Sequence, residues 1–186
     1  MEKKMGNPAV VGLAGFGLTT LLLQFHNIGI LGLGPVIAMG IVFGGLAQMI
    51  AGFQEQKLGN NFGYSAFVSY GSFWIGLVII WLLNVLKVHE TSHTELGLYM
   101  LAWTLYTVIM FIASLRIHKA MTITFGLLLL GFILLVIGLM VNPSIIKIAG
   151  YELILCALMA WYMMAAIIIN DLAGKSVLPL GDPLLR

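Results

Sequence analysis

Charge is what this chain has least of. Only 9% of its 186 residues are charged, against 61% hydrophobic, and the mean hydropathy is +1.06. A soluble domain carries about a quarter charged residues, so a soluble globule is excluded. The net charge of +2 is too small to indicate a nucleic-acid partner. A single cysteine, Cys156, rules out an intrachain disulfide and reads as a small apolar packing residue. No A-x-A cleavage pattern closes the first apolar run, so the basic start followed by that run reads as a retained helix, not a secretory signal. No nucleophile–base set and no cofactor loop is visible, which argues against an enzyme and against any cofactor or metal.

What the chain does have is six long apolar runs, at 8–25, 34–53, 64–86, 96–115, 120–141 and 148–169. About 20 residues at 1.5 Å rise cross a hydrocarbon core of ~30 Å. Backbone amides in lipid must be satisfied within the segment, so each run reads as a helix. The fold class is therefore an all-α integral membrane protein with six transmembrane helices, and residues 1–186 form a single transport domain. Seven Lys and Arg fall on one side of this layout (Lys3, Lys4, Lys57, Arg116, Lys119, Lys175, Arg186) and two on the other (Lys87, Lys147). That imbalance places both termini in the cytoplasm of a cell membrane.

The membrane-depth segments hold almost no ionisable residues. No Lys, Arg, Asp or Glu lies at mid-span, which argues against a pump built on buried carboxylates and against a voltage sensor. Glu152, one turn into the sixth run, reads as solvated or capping near an interface. Tyr99, Tyr151 and Trp81 read as interfacial anchors.

Uncharged polar residues are present and fall on faces. Phe16, Thr20, Gln24 and Asn27 share one stripe of the first run, bordered by Thr19. Gln48 lies among the small residues Gly44, Gly45 and Gly52, and Gly40 with Gly44 forms a G-x-x-x-G pair suited to close helix approach. Ser65, Ser69 and Ser72 form a ladder on the third run, with Tyr70, Trp74 and Trp81 on another face. Thr and Ser hydroxyls can bond their own helix. Glutamine amides need company, and Gln24 and Gln48 are read equally as interhelical hydrogen bonds or as lining of a solute path.

His89-Glu90-Thr91-Ser92-His93 matches H-E-x-x-H. That zinc chemistry needs both histidines on one helical face, a third ligand and a shielded water. Here the five residues read as a polar loop outside the membrane, and no metal site is inferred.

Further motifs carry a family resemblance. Asn7-Pro8-Ala9-Val10-Val11-Gly12-Leu13 resembles the N-P-A-P-L-G-L signature of the acetate uptake transporters, with valines for one proline and one leucine. The likeness continues through Gly15–Thr20, His26-Asn27-Ile28-Gly29, Ala38-Met39-Gly40, Ser69–Trp74, and Asn170-Asp171 with Leu178-Pro179-Leu180-Gly181. The chain thus resembles the succinate–acetate permeases over its whole length. The resemblance implies six helices around a central pore, a homohexamer, and a hydrophobic constriction at Phe16, Tyr70 and Leu128, with Ala160 as a further lining position.

A bare carboxylate costs on the order of 20 kcal/mol to bring into low dielectric in the idealised limit. Its hydration must be replaced by donors. Hydroxyls of Thr19, Thr20, Ser69 and Tyr70 and amides of Gln24 and Gln48 supply these without the trapping charge of Lys or Arg. Trp74 lies on the same face as Tyr70, and the helix start at Asn7 adds a partial positive end. The expected function is passage of acetate, with succinate as a second solute, along a channel-like or proton-linked path. The alternative is a channel for urea or another small neutral amide.

Overall fold

The computed structural model describes residues 5–185. They form six helices long and apolar enough to cross a membrane: α1 (Ala9–Asn27), α2 (Leu33–Lys57), α3 (Asn61–Val85), α4 (His93–Ser114), α5 (Lys119–Met140) and α6 (Ser144–Ala173). Lys3, Lys4 and Arg186, which enter the charge asymmetry, lie outside the described residues.

Short connections make sequential helices neighbours, and the six close into a ring. α1 packs on α2 and α6, α2 on α3, and α4 and α6 on α5. The backbones of α3 and α4 seldom approach each other. Aromatic side chains fill the space between them: Tyr70 meets Trp103 and Tyr106 at ring distances of 6.1 and 5.6 Å, and Phe73 stacks on Tyr99 at 5.8 Å. Tyr99 also donates to the Phe73 carbonyl at 2.8 Å. It is thus a bridge between two helices, not the expected interfacial anchor.

The helix ends have local causes. Asn60 caps α3, its side-chain oxygen accepting from the Gly63 N–H at 3.1 Å. α4 starts earlier than the apolar run suggests, because Ser92 and Glu95 form a capping box. The Glu95 N–H donates to Ser92 Oγ at 3.2 Å, and the Ser92 N–H donates to Glu95 Oε2 at 2.7 Å. His93 therefore opens a helix while His89 stays in the loop, so the H-E-x-x-H residues do not share a helical face.

α2 is not a uniform helix. Val42–Ala47 winds as a π-helix, a local widening often found at functional sites. Glycines on both sides serve close approach here: a methyl at Gly44 of this segment would lie 2.5 Å from Thr19 Oγ1, and one at Gly15 of α1 would meet the Phe43 carbonyl. The Thr19 hydroxyl donates back to the Met39 carbonyl at 3.4 Å. α1 and α2 are locked together by this contact.

Beyond α6 the chain folds back over one end of the bundle. Asn170 accepts from the Val177 and Leu178 N–H groups at 2.7 and 2.8 Å and donates to the Leu178 carbonyl at 2.9 Å. The Leu180 carbonyl then accepts the Ala120 N–H at 3.0 Å, and the Leu115 carbonyl accepts from Leu184 and Leu185. This is the tail end of the ring. The opposite, far end carries the α1–α2, α3–α4 and α5–α6 turns.

Candidate functional site

Two chambers lie inside the ring. The larger, 260 Å³, is at the tail end, with Ala9, Leu13, Asn60, Phe62, His118 and Leu180 near its mouth and Gln48, Thr124 and Met163 deeper. The smaller, 20 Å³, lies toward the far end among Thr20, Leu23, Gln24, Phe73, Trp74, Phe132, Leu135 and Leu153. A water needs ~10–15 Å³ by this measure. The first chamber therefore has room for a small solute with water, and the second for about one water.

Phe16, Tyr70 and Leu128 line both chambers. Each sits about 10–14 Å along its helix from the tail end, near mid-membrane, at 1.5 Å per residue. Phe16 packs edge-on against Tyr70 at 6.1 Å, and all three are nearly inaccessible to solvent. The partition between the chambers is apolar because of how Tyr70 is tied. Its hydroxyl lies 2.8 Å from Thr107 Oγ1. The single hydrogen of Thr107 is donated to the Trp103 carbonyl at 2.7 Å, so Tyr70 must be the donor to Thr107. The phenol hydrogen is committed to α4, and the ring is what Tyr70 presents to the interior. Tyr70 is therefore not the solute donor that the sequence suggests.

The other candidate donors separate in the same way. Thr19 is fully buried and spends its hydroxyl on α2. Thr20 Oγ1, Trp74 Nε1 and Gln48 Oε1 are buried with no hydrogen-bond partner among the described residues. Thr20 and Trp74 face the small chamber and Gln48 faces the large one. A buried polar group without a partner costs free energy, so these three atoms mark places where a guest or water completes the bonding. Gln24 also lines the small chamber, with its Oε1 accepting from Asn27 Nδ2 at 2.8 Å.

Four candidates line neither chamber. Asn7 sits on an outward groove between the α1 start and α2, where its side chain accepts from the Ala9 N–H at 2.9 Å. Thr19 packs against α2 as described. Ser69 is half-buried on α3, and Ala160 is fully enclosed between helices.

Three further residues lie on the chambers or behind them, none of them singled out as a site residue by the sequence; Leu180 stands there only within the Leu178-Pro179-Leu180-Gly181 motif. Thr107 lies on α4, in whose apolar run the sequence singles out only Tyr99. Leu180 reaches the chamber because the tail folds back. His118 caps α5, its Nδ1 accepting from the Met121 N–H at 3.1 Å, and burial lowers its pKa below the usual histidine value. Glu152 also departs from expectation. Its carboxylate oxygens are shielded from solvent and unpartnered among the described residues, not solvated at an interface. Among the described residues no group of histidine, cysteine and acidic side chains is arranged to hold a metal.

Comparison with known proteins places these features in context. Residues 1–179 match the GPR1/FUN34/yaaH family. The chain is 42% identical over 182 residues to the succinate-acetate/proton symporter SatP of Escherichia coli, covering 96% of this chain and 97% of that protein. It is 34% identical to acetate permease A of Emericella nidulans, over 92% of this chain and 62% of that one. Among solved structures, that of the bacterial acetate channel SatP superposes with a TM-score of 0.92 at 42% identity, covering 96% of this chain and all of the other.

Proposed function

Since the chain belongs to the GPR1/FUN34/yaaH family, we propose that it passes acetate through the middle of its own six-helix ring, with Phe16, Tyr70 and Leu128 as the constriction. One observation carries this reading: those three side chains are shared by two chambers that lie along the ring axis. The solute enters the large chamber past Asn60, His118 and Leu180 and meets the Gln48 amide. It then crosses the apolar partition and reaches the Thr20 hydroxyl, the Trp74 N–H and the Gln24 amide.

The donors are neutral, so each binds a carboxylate without trapping it. The apolar collar suits a methyl group and resists broader or more hydrated solutes. Succinate, with two carboxylates, passes more slowly by the same argument. With 20 Å³ beyond the collar, the conformation is closed, and passage requires the collar side chains to move.

The protein works as a multi-pass component of the cell membrane. The excess of Lys and Arg at the tail end supports cytoplasmic placement of both termini. The outward groove bounded by Asn7, Val11, Ala47 and Ile50 offers an apolar face for a neighbouring copy, in line with a homohexamer in which each subunit keeps its own path.

The test is labelled-solute exchange into proteoliposomes with membrane voltage and pH gradient imposed separately. Acetate exchange that responds to voltage supports anion passage, whereas equal flux of urea at all voltages overturns it. Leu128→Ala should admit longer monocarboxylates that the unaltered protein rejects. Unchanged selectivity would remove Leu128 from the constriction.

A further inference from the structure

The path just described leaves the enclosed carboxyl of Glu152 unused. Glu152 lies on α6, two residues and about 3 Å deeper than Gly150, which packs on Ile28, Asn27 and the Gln24 carbonyl. Neither of its carboxylate oxygens touches solvent or has a hydrogen-bond partner among the described residues. The side chain reaches across to Gly131 of α5, where a methyl group would lie 2.7 Å from Glu152 Oε2 and would also collide with Leu153. The absence of a side chain at Gly131 is what makes room for this carboxyl. The next residue, Leu153, lines the small chamber.

The surroundings offer no counter-charge. Residues 127–135 of α5 are all apolar or glycine. On α1, His26 is the titratable residue near this end, and its ring is bonded to the Leu31 carbonyl at 2.9 Å. On α6 the neighbour one turn on is Cys156, whose thiol donates to the Thr124 carbonyl at 3.5 Å. Lys147, five residues earlier, is exposed. A bare carboxylate here has neither water nor a cation, whereas a carboxylic acid carries no charge to solvate.

We propose that Glu152 is a proton-binding site of the transport cycle, buried beside the small chamber and filled while the path is closed. This rests on the passage reading above and extends it to proton linkage. When water reaches the far end, the carboxylate takes a proton from hydronium and leaves water. On closure the neutral acid is sealed against Gly131. Release reverses the step. The intramembrane carboxyl thus provides a proton site distinct from the solute's own carboxylate.

The experiment has two readouts on the protein in lipid vesicles. Infrared spectra without any solute should show a protonated carboxyl band at neutral pH that is absent from Glu152→Gln and regained, shifted, in Glu152→Asp. A band unchanged by Glu152→Gln overturns the proposal, because the acid is then ionised. Labelled-acetate exchange at equal pH on both sides is then followed across pH. A single controlling group gives at most about a tenfold change per pH unit, and Glu152→Gln should flatten that dependence while exchange persists. A pH profile identical to the unaltered protein's also overturns the proposal. Failure of the unaltered protein to exchange acetate counts against the passage reading alone, and the infrared readout still decides the site.

Discussion

The Tyr70 hydroxyl donates a hydrogen bond to Thr107 Oγ1, 2.8 Å away on the neighbouring helix. Thr107 in turn donates to the Trp103 carbonyl. This short relay joins the one pair of sequential helices whose backbones hardly meet, and it sets which part of Tyr70 faces the interior. The two substitutions that break it should differ. Tyr70→Phe removes the donor and keeps the ring, so the apolar collar survives. Its cost is that of one net hydrogen bond, ~0.5–1.5 kcal/mol. Thr107→Val strands the Tyr70 hydroxyl in a dry site, at ~1–3 kcal/mol. Thermal unfolding in detergent should therefore rank Thr107→Val below Tyr70→Phe. Acetate exchange should be nearly unaffected by Tyr70→Phe and altered by Thr107→Val, whose freed phenol puts a polar group into the collar.

Adjacent threonines on α1 give a sharper contrast. Thr19 is bonded to α2 and Thr20 is unpartnered at the small chamber. Thr20→Val deletes a hydroxyl that stabilises nothing in the closed protein. It should leave the melting temperature unchanged or raise it. It should also weaken acetate binding by roughly tenfold or more, the equivalent of one hydrogen bond to a charged group at ~1.5–3 kcal/mol. Thr19→Val should do the opposite, lowering stability and sparing affinity. Equal effects of the two would mean that the small chamber does not touch the solute.

Much of this arrangement could be read along the chain, and the rest could not for definite reasons. Apolar runs near 20 residues locate all six helices. The spacing of Phe16, Thr20 and Gln24 puts them on one face, and all three line the chambers. Leu128 has no such signal, since it sits in a run of four leucines and only the family resemblance singles it out. The serine–glutamate capping box is visible as S-x-x-E, yet it overlaps H-E-x-x-H, and the loop reading hid the helix start. Tyr70 looks like a solute donor until Thr107, 37 positions later, is brought beside it. Glu152 lies close to a helix end in sequence. Its enclosure depends on a glycine in the preceding helix and on the depth at which α6 meets α1. In each case the missing information is a contact between helices, which periodicity within one helix does not encode.

The contact of α1 with α2 makes a prediction about packing alone. Gly44→Ala places a methyl 2.5 Å from Thr19 Oγ1, with the α2 backbone behind it. Overpacking of this kind costs ~1–3 kcal/mol. Combining it with Thr19→Ser, which removes the methyl branch, should recover part of the loss. Additive destabilisation in the double variant would show that the two residues do not press on each other in the membrane.

The mouth of the large chamber carries a pH dependence whose sign is fixed by His118. Burial favours its neutral form, so its folded-state pKa lies below the ordinary value. Neutral Nδ1 accepts the Met121 N–H and caps α5. Protonation removes that acceptor and adds charge to a half-buried ring. Between the folded value and the unfolded value of about 6.5 the unfolded chain binds more protons, so stability rises with pH through that window. The stabilisation is fully present above about pH 6.5 and is lost as pH falls through the folded pKa. His118→Asn keeps a capping oxygen for the Met121 N–H and cannot take up a proton in this range. Melting curves from pH 5 to 8 should therefore converge at low pH, with the unaltered protein losing its advantage. If His118→Asn retains the full slope, the histidine is not its source.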